Sequence, residues 1–78
     1  MRRKVPKLIT SFSSTTAAMA AEAADSPNGR LIPKPQELGA GCGLAWSTDP
    51  LRIDILVEVF NKNSVSWEDM KVVNMYEL

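Results

Sequence analysis

The chain carries one cysteine and no histidine. Cys42 stands in the run "GAGCG", residues 39–43, where Gly39, Gly41 and Gly43 surround it and Pro33 and Pro35 lie just upstream. Glycines beside a thiol remove steric cover and let backbone N–H groups converge on the sulfur, a nest that favours an anion. A thiol that receives and passes on a group must be accessible and partly ionised near neutral pH, so that it attacks well and leaves well. Arg30 and Lys34 would add positive potential if they face this loop. Glu37 is close in sequence, but a carboxylate opposes thiolate formation, so it is expected to point away. The bland alternative is a small buried hydrophobe in a glycine-built turn.

The remaining composition narrows the chemistry. One cysteine excludes an internal disulfide, and with no histidine beside it a zinc site has too few ligands. No metal or other cofactor is expected. A Cys–His nucleophilic pair is impossible within the chain, and "GAGCG" has neither the GxGxxG spacing nor the lysine of a P-loop. An independent enzyme therefore ranks below a carrier or a binding module. Nine basic and nine acidic residues cancel, so no overall field draws in nucleic acid or an anionic membrane. "MRRK" followed by "AMA" and "AEA" superficially resembles a signal peptide, but "VPKLITSFSSTTA" is too polar for its apolar region. No run of about 20 apolar residues is available to span a membrane. The expectation is a soluble, cytoplasmic protein with a basic flexible tail at 1–6 and one small domain at 7–78.

The elements that must position Cys42 follow from residue patterns. "KLITSF", 7–12, is β-prone. Ser13 or Ser14 can cap the alanine-rich helix that follows, in which Ala17, Ala18, Ala21 and Ala24 share a face suited to close approach to a sheet. "SPNG" ends that helix, with "NG" accepting positive φ. "RLIPKP" is extended and suits an edge strand that gives out at Pro33. "QEL" forms a single turn, and "GLAWST" resumes as a strand with Leu44 and Trp46 on one face. "DPLRIDILVEVFNKN" alternates like a strand, yet Asp49-Pro50 is a helix start and the length favours a helix. "VSWEDMKVVNMYEL" closes as a strand. The order β-α-β-β-α-β in so short a chain predicts an α+β, ferredoxin-like two-layer sandwich, an antiparallel sheet with two helices on one face.

The block "RLIPKPQELGAGCGLAW" resembles the signature of the Se/S carrier protein-like family, small bacterial proteins whose function is uncharacterised. The matching features are Phe12 with Ser13 and Ser14, Ala18 with Glu22, Ile32-Pro33 with Pro35, and Cys42-Gly43-Leu44-Ala45. The resemblance runs from residue 8 to about 76. Two positions depart from the pattern: Gln36 before Glu37 stands where a basic residue is common, and Trp46 where a smaller aliphatic is expected. The resemblance implies that Cys42 carries sulfur or selenium as a persulfide or selenenylsulfide between a donor and an acceptor protein. Missing the basic residue would weaken or rearrange any anion binding.

Beside Cys42, the residues expected to shape a site are Arg30, Pro33, Lys34, Pro35 and Trp46, with Ser14 and Thr15 offering N–H groups at a helix N-terminus. Trp46 and Trp67 read first as core anchors. Glu22 reads as a solvated helix face. Two other functions compete with the carrier. One is a small-ligand or anion-binding regulatory module with Cys42 as a pocket wall. The other is a structural domain that forms a homodimer through an edge strand, with Cys42 buried.

Overall fold

The computed structural model describes residues 3–39 and 42–76. Its elements are β1 (Lys4–Ser11), α1 (Thr15–Asp25), β2 (Arg30–Pro33), β3 (Leu44–Thr48), α2 (Ile53–Lys62) and β4 (Asp69–Tyr76), with single 3-10 turns at Gln36–Leu38 and Pro50–Arg52. The four strands form one antiparallel sheet in the order β2-β3-β1-β4. The molecule is α+β with two helices, as the sequence pattern predicts.

β1 begins at Lys4, earlier than residue types suggest, and pairs as far as Lys4 with Tyr76. Pro6 lacks an N–H and usually demotes a strand. Here β1 pairs with β3 only from Leu8 to Ser11, so Pro6 lies where the strand has a neighbour on one side and the missing donor is tolerated. α1 starts at Ser14, whose hydroxyl accepts from the Ala17 N–H at 3.2 Å. Such a cap satisfies one of the helix's orphan donors. Ala18 and Ala21 are fully buried; their short side chains bring the helix down onto the sheet. The ambiguous segment is helical. Asp49 accepts from the Leu51 N–H at 2.8 Å with Pro50 at the first position, and the turn runs on into α2, which buries Leu56 and Phe60 four residues apart.

Alternation along the strands divides the core in two. Leu8, Phe12 and Trp46 meet α1 and α2 in a cluster completed by Leu56, Phe60 and Val65. Burying an aromatic or a leucine in such a cluster contributes about 2 kcal/mol. The opposite face carries Ile9, Ala45 and Val73, covered by Leu38 and containing no residue of either helix. The turn at Gln36–Leu38 thus folds back over the helix-free face.

Two glycines behave differently from their sequence context. Gly39 has φ of 68°, the left-handed region. Gly29, expected to serve a positive-φ turn, is needed for space instead: a Cβ there would lie 2.7 Å from the Ser47 carbonyl oxygen, Thr48 Cγ2 and Trp46 Cε2. The preceding Ser26–Pro27 peptide is cis.

Candidate functional site

Cys42 sits where the loop between β2 and β3 returns to the sheet. Its N–H donates to the Phe12 carbonyl at 3.1 Å, tying it to the end of β1. The Lys34 N–H donates to the Gly43 carbonyl at 2.9 Å, prolonging the β2–β3 pairing past Pro33 and Leu44. The thiol is half-buried and packs against the helix-side core. Its Sγ donates a hydrogen bond of 3.4 Å to the Leu44 carbonyl. The sulfur's described bond therefore goes to a carbonyl rather than coming from a backbone N–H. Gly41 lies outside the described residues. Gly39 ends the 3-10 turn, donating to the Gln36 carbonyl, and Gly43 is exposed with open space where a Cβ would point.

Several expected site residues share this corner. Ser14 and Thr15 follow Phe12 closely and are exposed at the start of α1, so the Cys42 backbone is tied to the chain two residues before the α1 cap. Lys34 and Pro35 are half-buried and Pro33 is exposed along the approach to the loop. Pro35 opens the 3-10 turn, and Glu37 within it is exposed. On the other side, the Glu68 N–H donates to the Ser11 carbonyl at 2.8 Å. Phe12 meets Phe60 edge-on at 6.2 Å, and Phe60 meets the half-buried Trp67 at 5.7 Å. An aromatic chain thus runs from buried Phe12 through Phe60 to half-buried Trp67.

Two expected members stand elsewhere. Arg30 begins β2 opposite Ser47, at the far end of the strand from the cysteine loop, and is exposed on the helix-free face. Trp46 is completely buried, and its indole N–H donates to Asp25 Oδ2 at 2.8 Å. Glu22 is half-buried on α1.

Residue types alone did not disclose the strongest polar cluster. Asp25, 1% exposed at the end of α1, accepts from Trp46 and from both terminal guanidinium nitrogens of Arg52, Nη1 at 2.9 Å and Nη2 at 2.8 Å. Arg52 also donates to the Asn28 carbonyl at 3.3 Å. Burial pushes the Asp25 carboxyl up, but the Arg52 and Trp46 hydrogen bonds and the Arg52 charge outweigh it, so the group lies below its ordinary value. The bond to Asp25 holds Arg52 above its own. One signal was available: an acid at a helix C-terminus opposes the dipole and calls for a cation.

The described geometry is thus one half-buried cysteine at a loop–strand junction on a small α+β scaffold. Among the described residues no helix is long and apolar enough to cross a membrane, and no three His, Cys, Asp or Glu side chains gather as a metal site. The chain belongs to the family described as "Putative Se/S carrier protein-like", whose model matches residues 7–71. No match was found among curated proteins or among solved structures.

Proposed function

We propose that the protein is a thiol-based carrier of sulfur or selenium, with Cys42 as the carrier group. The observation that carries this reading is the family match across residues 7–71, joined to a thiol that is half-buried rather than enclosed. Exchange begins with the Cys42 thiolate, which attacks the terminal sulfur of a donor persulfide. The bond to the donor's inner sulfur breaks, and the donor leaves as its own thiolate. The Cys42–S–S⁻ product holds sulfur at the oxidation level it had on the donor, so no further oxidant is needed. A donor selenenylsulfide would give Cys42–S–Se⁻ in the same way, and an acceptor nucleophile reverses the step. Ionisation frees Sγ from the Leu44 carbonyl, which accepts the thiol proton but repels an anion.

The partners are a chalcogen donor and an acceptor protein, and the protein itself is a substrate in their exchange. A lone reduced thiol suits a reducing cytoplasm. Read from the β4 edge, the strand order β4-β1-β3-β2 with the β-α-β-β-α-β chain order supports assigning the scaffold to the ferredoxin-like type. The test is intact mass after incubation with a low-molecular-weight persulfide. The native protein should gain one sulfur atom, removable by a thiol reductant, and Cys42→Ser should gain none. A Cys42 that reacts with persulfide or alkylating reagent only after denaturation would sink the carrier reading.

A further inference from the structure

The helix-free face of the sheet holds a cavity of about 730 Å³, within the size range of small-molecule sites. Its floor is apolar, from Val5 on β1, Ile32 on β2 and Met75 on β4. Lys7 and Arg30 also line it, from strands separated by β3 and therefore roughly 10 Å apart across the sheet. Among the described residues, neither cation is held in a salt bridge. The acid that lines the cavity, Asp49, has one oxygen engaged by the Leu51 N–H. Among the described lining residues, two cations and one acid leave a net single positive charge beside an apolar floor.

We infer that this cavity binds a small organic monoanion, an apolar body seated on Val5, Ile32 and Met75 with one carboxylate drawn to Lys7 and Arg30. The net charge favours one negative charge over the two of a phosphate monoester. The apolar floor rejects a bare inorganic anion, which would leave it uncovered. Cys42 belongs to the helix-side core and does not line this cavity, so the site is independent of the carrier reading.

The test is an NMR titration of the full chain with 2-naphthoate, 2-naphthylmethanol and 2-naphthyl phosphate. Naphthoate should bind saturably and shift the methyl signals of Val5, Ile32 and Met75. The neutral alcohol should bind about tenfold more weakly, the scale of one lost charge-assisted hydrogen bond. Lys7→Gln and Arg30→Gln should each weaken naphthoate about three- to tenfold, discounted for exposure, while Lys62→Gln and Cys42→Ser change nothing. Three results would overturn the proposal: no saturable shift, affinity indifferent to both cations, or tighter binding of the phosphate. Shifts centred on exposed Leu51 and Ile55 would equally overturn it by placing the probe on α2 and the turn before it.

Discussion

The two ends of α1 solve opposite problems. At its C-terminus Asp25 is buried and fully engaged, bonded to Trp46 and bidentate to Arg52. Two residues before its N-terminal cap, the Phe12 carbonyl accepts from the Cys42 N–H, and the half-buried cysteine's sulfur makes one hydrogen bond, to the Leu44 carbonyl. The first end joins α1 to β3 and to the turn before α2, and its geometry has no slack. The second leaves the cysteine half-buried, as the proposed group transfer requires.

Substitutions can break or sharpen this contrast. The largest effect is expected for Arg52→Ala, which strands a buried carboxylate and should cost about 3 kcal/mol, as does loss of one partner from a buried pair. Asp25→Asn should cost less, because it retains an acceptor for the Trp46 indole and leaves Arg52, 21% exposed in its side chain, within reach of water. Urea unfolding of both variants ranks them, and equal values for wild type and Arg52→Ala would refute a structural role for the pair.

The same pair sets an acid limit. The folded Asp25 pKa lies below the ordinary 3.8, so the unfolded chain takes up the proton first as pH falls. Its contribution is complete above 3.8, and is lost as pH drops from there through the folded value. Asp25→Asn should flatten this part of the stability profile while lowering stability at neutral pH.

Next in size is Gly29→Ala. The new methyl would meet the Ser47 carbonyl, a backbone atom, and Trp46 at 2.7 Å, and overpacking of this kind costs about 1–3 kcal/mol. Because it presses on the strand that carries Trp46, it should weaken the Asp25 end and leave the chemistry of Cys42 intact. Ser14→Ala removes the cap of α1 at the other end and should cost about 1 kcal/mol, read as a lower urea midpoint. The smallest change in stability is expected for Cys42→Ser, together with complete loss of persulfide loading by mass. That combination, little stability and all of the chemistry, is the sharpest statement of the contrast.

Element types were mostly legible because local rules agreed. Ser14 before an alanine run and Asp49-Pro50 before an apolar stripe mark helix starts whatever surrounds them. The extension of β1 back to Lys4 was hidden by Pro6, which is acceptable only because β3 stops short of it. Cys42 was visible as the candidate from its glycine setting and its likeness to a family. Arg30 and Trp46 looked like neighbours of that thiol because they flank it in sequence. Alternation and the far end of β2 carry one to the helix-free face and the other into the core.

From its amino acids alone, the chain determined its helix starts, its single cysteine and the absence of any histidine. These depend on covalent structure and on interactions a few residues long. Tertiary structure decided which distant residues meet: Asp25 with Trp46 and Arg52, Cys42 with Phe12, Leu38 with the helix-free face, and Lys7 with Arg30 around one cavity. Such pairings follow from strand register and from the choice of face, and a one-residue slip in register would exchange every one of those faces.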